Sequence, residues 1–354
     1  MGGMSAVQPL VDRGHRGSLS RGSLRRDTPG CERVAHLNNA GASLSPAVVV
    51  DRMVTHLRLE EQIGGYEAAA QVADELASGR HVIAQLVGAT ARQVALVEST
   101  TAGLHRVLSA VSLSRGDRVL VAGSEYASTV RPLLQLSRRM GLDGSMDVEF
   151  LAATVDDDVR LVSVVHAPAH NGVVNDVAAI GEVLRRNAPD AWYLVDACQS
   201  LGQLPIDMGR IDCDFLIASG RKYLRGPRGS GLLAVSDRAL ARLDGFPVDI
   251  RGARWIGSAE FEVAASATRF ESFERSVAVN LGLIEAARYA QAASIPVLHG
   301  AITRSAEYLR SHIGAIPGWW VLDRGTQRSG IVTARHEYRS IADTVAALAR
   351  AGVA

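Results

Sequence analysis

The stretch WYLVDACQSLGQLPIDMGRIDCDFLIASGRKYLRGPRGSGLLAVS, residues 192–236, decides the fold. It holds three short apolar runs, at 192–197, 214–219 and 231–236, each followed by a turn or a change of character. The runs are nearly continuous in apolar residues rather than alternating, which is the pattern of strands covered on both faces. Working outward, four more runs fit the same description: VALVES (94–99), RVLVAG (118–123), VEFLA (148–152) and RLVSVVHA (160–167). Amphipathic segments such as TAGLHRVLSAVSL (101–113) and AAIGEVLRRN (178–187) lie between them. Buried strands alternating with helices imply an α/β fold, here a three-layer α/β/α large domain around a mostly parallel seven-stranded sheet. After residue 270 longer helical patterns take over (276–293, 301–316), with a strand candidate at 330–338 and a last helix at 340–352. These read as a smaller α+β C-terminal domain. The expected organisation is a disordered Gly/Ser/Arg-rich tail at 1–33, a large domain at 34–250 and the small domain at 251–354.

Composition narrows the classes. A chain of 354 residues, 47% apolar, can bury one large core or two modest ones. Its formal net charge of +1 gives no reason to expect nucleic acid or an anionic membrane as partner. No uncharged apolar run reaches spanning length. Cys31, Cys198 and Cys213 have no metal-type spacing, so a reducing, cytoplasmic setting is expected, with neither disulfide framework nor metal. Residues 1–30 carry five arginines and two aspartates and no apolar core; a disordered tail is expected, a transit peptide or polyanion-binding arm being the weaker readings.

Within the opening stretch, Lys222 is the only lysine among 38 basic Lys and Arg residues. Arginine replaces lysine as a surface charge, but its guanidinium does not deprotonate, so it cannot replace an amine that must be a nucleophile or base. A desolvated lysine attacks carbonyls to form a Schiff base. Drift in an arginine-biased gene would leave the same count, so the surroundings decide. Ligands of sheets of this kind bind beyond the carboxyl ends of the strands. There, ESTTAG (98–103) opens a helix with Thr100 and Thr101, which suits a phosphate as well as an ordinary cap. Asp196 ends a buried run and needs a partner, either structural or a protonated ring nitrogen. Tyr126 could stack on a flat ring or fill core, and Ser219 and Lys222 follow a further strand. Together these are the groups that pyridoxal phosphate requires.

With those residues in place, the chain resembles the fold-type I pyridoxal phosphate enzymes of the class V aminotransferase group, over about residues 34 to 335. That family carries a strand–Asp–x–x–Gln segment followed by Ser–x–His–Lys. Here they stand as Asp196 with Gln199, and as Ser219-Gly220-Arg221-Lys222. The resemblance implies the PLP transferase type I fold, pyridoxal 5′-phosphate bound in the large domain, and a homodimer. It implies a Schiff base at Lys222, Asp196 at the pyridine nitrogen and Gln199 at the ring oxygen. Thr100, Thr101, Ser219 and Arg221 would hold the phosphate, with Tyr126 at the stacking position.

HLNNAGASLSP (36–46) and EQIGGYEAAA (61–70) resemble the subgroup of hercynylcysteine sulfoxide lyase, other carbon–sulfur lyases and isopenicillin epimerase-like proteins. Substrate contacts are expected from Asn39 and Tyr66 in those segments, and from His170 and Arg254. The implied activity is β-elimination from a cysteine-derived amino acid, releasing pyruvate and ammonia; an aminotransferase, an epimerase or a non-catalytic cofactor binder is the alternative. No cysteine follows Cys213, which disfavours desulfuration through a protein persulfide. Ser272-Phe273-Glu274 stands where the family has Gly-Thr-Pro, and Ala169 where many members have asparagine. The family's late arginine has no counterpart before Ala354, so the small domain reads as truncated, with Arg254 or Arg335 as substitutes.

Overall fold

The computed structural model describes residues 21–140, 155–156, 158–243 and 247–354. Six strands form the main sheet: β1 (Val94–Val97), β2 (Arg118–Val121), β3 (Val159–Val165), β4 (Trp192–Asp196), β5 (Phe215–Ser219) and β6 (Gly231–Val235). Their order is β1-β6-β5-β4-β3-β2. Strands β2 to β5 run parallel, while β6 is antiparallel to both neighbours, β5 and β1. The sheet is thus mostly parallel, with six strands among the described residues where seven were expected. The candidate at 148–152 lies outside the described residues.

The apolar runs are continuous because both faces of the sheet are covered. Tyr193 and Val195 of β4 join one core with Leu216 and Ala218, whereas Leu194 joins the other with Phe215 and Ile217. Side chains alternate faces along a strand, so each residue reaches a core whichever way it points. Burying one such side chain contributes roughly 1.5–3 kcal/mol. Helix Val277–Ala293 packs on helices Ala47–Ile63 and Ala73–Gln85, with Gly282 against Met53 and Gly79 against Ile284.

Away from the carboxyl ends of the strands, buried acids are paired. Glu271, 2% exposed, accepts from Arg80, from Arg251 Nε and from the Leu96 amide at 2.8 Å, which ties the 267–271 turn to β1. Asp214 is fully buried, bonded to Arg185, Arg238 and the Tyr193 amide.

One end of the chain departs from expectation. The tail expected to be disordered through residue 33 is folded from Arg21 onward, in helix Arg21–Arg26 and a short turn at Pro29–Glu32. Its anchors are polar: Asp27 accepts from the Ala47 amide and the Tyr289 hydroxyl, and Thr28 Oγ1 accepts from Arg225. At the other end, residues 352–354 lie beside residues 35–38, with Ala35 N–H on Gly352 O at 3.0 Å and Asn38 N–H on Ala354 O at 3.1 Å.

Candidate active site

The carboxyl ends of the strands surround a cavity of about 270 Å³. Three segments build its floor. At the first, Ser99 caps helix Thr100–Ala110 by accepting from Ala102 N–H at 3.1 Å. The cap turns Thr100 and Thr101 into the cavity wall. Thr100 N–H donates to Ser219 Oγ at 3.0 Å, and the two hydroxyls lie 2.8 Å apart. This joins the ends of β1 and β5 across β6, whose first residue, Gly231, faces both. Only glycine fits there, since a Cβ would lie 2.4 Å from Ala218 O and 3.3 Å from the Ser99 backbone. The helix start, with Thr100 and Thr101 on the cavity wall at the positive end of the helix dipole, suits an anion.

The second segment carries Asp196 and Gln199. Asp196 is 3% exposed and its Oδ1 accepts from Cys198 N–H at 2.8 Å. Burial raises its carboxyl to about 6, against the pull of that N–H and of the Lys222 charge. Gln199 donates through Nε2 to Ala40 O at 2.9 Å, while its buried Oε1 has no protein partner.

The third is Ser219 to Lys222. Lys222 is 7% exposed, and burial lowers its ammonium pKa, with Arg221 adding to the effect and Cys198 and Asp196 opposing it. Its Nζ donates to the Ala40 carbonyl, and Arg221 donates to the Gly41 carbonyl. Residues 38–43 therefore form a strap over the lysine, fixed by Ser43 N–H on Arg221 O at 2.9 Å.

The cavity thus brings together Thr100, Thr101, Tyr126, Gln199, Ser219, Arg221 and Lys222, with His170 also on its wall. Asp196 lies behind Cys198, close enough to feel the Lys222 charge. Three expected substrate residues do not line this cavity. Asn39 is in the strap but turns its Oδ1 to Ser43 Oγ, 3.0 Å away. Tyr66 is 73% exposed, its ring 6.3 Å from that of Phe273. Arg254 sits on the exposed hairpin of Ala253–Trp255 and Phe261–Val263, paired with Glu262 at 2.7 Å.

Sequence reasoning missed two contributors. One is the pair of carbonyls at Ala40 and Gly41, which no residue type signals. The other is Glu125, beside Tyr126 on the cavity wall. The strand-end rule that singled out Tyr126 applied equally to it.

The residues present fit pyridoxal phosphate. The helix start at Thr100 and Thr101, the Gln199 amide on the cavity wall, a buried carboxylate and a desolvated amine are the set of groups such a cofactor uses. Among the described residues no group of His, Cys, Asp and Glu could hold a metal.

Comparison with known proteins bears on the family and the fold. A family model described as aminotransferase class V matches residues 35–354. A probable cysteine desulfurase of Methanothermobacter thermautotrophicus is 26% identical over 309 residues, 83% of this chain and 76% of that protein. Among solved structures, a C-DES mutant with glycine covalently linked to the PLP cofactor superposes with a TM-score of 0.87 at 22% identity, covering 93% of this chain and 90% of that chain. The cystine C–S lyase C-DES with its reaction product cysteine persulfide gives 0.85 at 22% identity, covering 92% and 90%. The fold is therefore that of the PLP-dependent transferases, and the chain belongs to the class V aminotransferase family.

Proposed function

We propose that this protein is a pyridoxal phosphate-dependent carbon–sulfur lyase acting on a cysteine-derived amino acid by β-elimination, with pyruvate and ammonia as co-products. The observation that carries the reading is the sole lysine, buried in one cavity with the Thr100–Ser219 pair and Gln199, within the electrostatic reach of Asp196. When bound, the cofactor supplies an aldehyde for the lysine and an electron sink for the charge left at the substrate Cα.

The chain's own residues supply the rest. Thr100, Thr101, Ser219 and Arg221 hold the phosphate. Asp196, ionised above about pH 6, orients the ring nitrogen and keeps its proton in place. Gln199 holds the ring oxygen, and Tyr126 covers the ring face. Lys222, its pKa lowered by burial, takes the Cα proton at Nζ. The Cβ–S bond then breaks, the sulfur leaves as a thiol, and water releases pyruvate and ammonium. On helix Ala47–Ile63, Val50, Val54 and Leu57 expose an apolar face that suits a second copy in a homodimer.

The cysteines favour elimination over transfer of sulfur to the protein. Cys198 lines the cavity, but burial and the Asp196 charge push its thiol up, so little thiolate is present to accept sulfur. Cys213 is buried and likewise raised. Elimination needs no protein thiol.

The test is to incubate the purified, visibly absorbing protein with cystine and cysteine S-conjugates and follow pyruvate. Stoichiometric pyruvate is expected, with cysteine persulfide released from cystine and the corresponding thiol from an S-conjugate. Amino transfer to an added keto acid without pyruvate would overturn the lyase reading in favour of a transaminase.

A further inference from the structure

The loop after β3 lines a second cavity, of about 400 Å³, which the reaction outlined above does not use. The two ends of the loop, His166 and Val174, are on its wall, while Ala169 and His170 between them are on the wall of the active-site cavity. The loop is tied at both ends and in the middle. Asn175 N–H donates to His166 O at 2.9 Å, Val174 N–H to Gln327 O at 3.1 Å and Asn171 N–H to Thr333 Oγ1 at 2.8 Å. One short, fixed segment therefore touches both cavities.

Helix Ile295–Gly314 contributes His299, Thr303 and Glu307 to the second cavity, spaced four residues apart and so stacked along one side of the helix. The three form a row of acceptors. His299 Nδ1 lies 3.1 Å from Gln203 O, an atom that only accepts, so Nδ1 carries the ring proton and Nε2 of the neutral imidazole keeps its lone pair. Thr303 brings a hydroxyl. Glu307 brings a carboxylate that accepts from Arg310 Nη1 at 2.9 Å and Arg328 Nη2 at 3.0 Å and has lone pairs left over. Arg328, also on the wall, has further N–H donors for an anion. Val174, Leu204 and Pro205 supply apolar surface, interrupted by the ring of His166, which is 8% exposed and whose Nδ1 has no partner. A row of acceptors beside a guanidinium, with an apolar wall, matches an ammonium, a carboxylate and an apolar side chain on one small molecule. Glu307 disfavours a dianion there, and Arg328 disfavours a bare cation.

We propose that this cavity is a second ligand site, for a free α-amino acid. Its ammonium lies on the row of His299, Thr303 and Glu307, its carboxylate meets Arg328, and its side chain packs on Val174, Leu204 and Pro205. The Glu307–Arg328 pair is partly exposed, so exchanging it for the two charges of the ligand costs little. Because the loop of residues 166–174 reaches both cavities, occupancy here is felt at His170 on the active-site wall.

The test uses L-valine, which has an apolar side chain and no leaving group at Cβ. Under the functional reading the active-site cavity also takes amino acids, so the holoenzyme is first reduced with borohydride to close it. Calorimetric titration should then show one L-valine bound per chain. The corresponding keto acid and isobutylamine each lack one of the two charges and should bind at least about tenfold more weakly, the loss of one charge-assisted hydrogen bond. E307Q and R328Q, both at partly exposed positions, should weaken L-valine by the same factor, and T303F, which fills the cavity, should abolish binding. Saturating L-valine should change the fluorescence of the reduced pyridoxyl group in the wild type and not in T303F.

Failure of L-valine to bind the reduced protein, or binding that E307Q, R328Q and T303F all leave unchanged, would overturn the site. Binding without the fluorescence change would overturn its link to the active site. A purified protein with no cofactor to reduce would instead count against the functional reading, and the same titration, run on it directly with the three variants, would still decide the second site.

Discussion

Two buried glutamates set out the logic of this molecule. Glu271 lies away from the cavity and is surrounded by donors: Arg80, Arg251 and the Leu96 amide. Despite burial its carboxyl is held below the usual range. Glu125, on the cavity wall, draws no arginine, and burial, with the Asp196 charge adding to it, carries it to about 9. The same side chain titrates in opposite directions because one site surrounds it with arginines and the other buries it without a cation. Where the fold needs an acid, the chain spends arginines on it. Where the cavity needs chemistry, a polar atom stays unpaired, as at Gln199 Oε1.

The largest expected break in this contrast is at Lys222. K222R keeps the charge and loses the amine, so turnover should fall by at least about 10³-fold while the melting temperature stays near wild type. A merely structural cation would tolerate the exchange, and steady-state kinetics decide. On the structural side, E271Q removes the charge that balances Arg80 and Arg251. It should cost about 3–5 kcal/mol in denaturant unfolding, since an unpaired buried charge remains.

The pH dependence sharpens the comparison. Glu125 binds its proton more tightly folded, at about 9, than at the ordinary value of 4.5. Its contribution to stability is therefore fully present below about pH 4.5 and is lost as pH rises toward 9. Melting curves of E125Q should lack that loss. Turnover should also decline as pH falls through about 6, where Asp196 takes up a proton.

Smaller effects follow. S219A leaves the Thr100 N–H without its acceptor and should weaken cofactor retention by about 1–2 kcal/mol, measured by dialysis. R254A removes an exposed pair with Glu262 and should alter stability by less than about 0.5 kcal/mol.

The sheet was legible because every strand is covered on both faces and reads as an unbroken apolar run. The reversed direction of β6 was not, since an apolar run has no polarity. At the cavity, Thr100, Asp196, Ser219 and Lys222 were legible from their places after the strands, and Gln199 through the family resemblance. The Ala40 and Gly41 carbonyls were invisible because every residue has one; only the folded strap aims them at Lys222 and Arg221. The ordered segment after Arg21 was hidden by its composition, and its hold on the body depends on Tyr289 and Arg225, distant in sequence.

Everything rests on the amine at position 222 carrying the cofactor. The most direct test is to treat the visibly absorbing protein with borohydride, digest it, and map the modified peptide by mass spectrometry. The account predicts one pyridoxyl adduct, on Lys222. An adduct elsewhere, or an absorbing cofactor that leaves Lys222 unmodified, would contradict it.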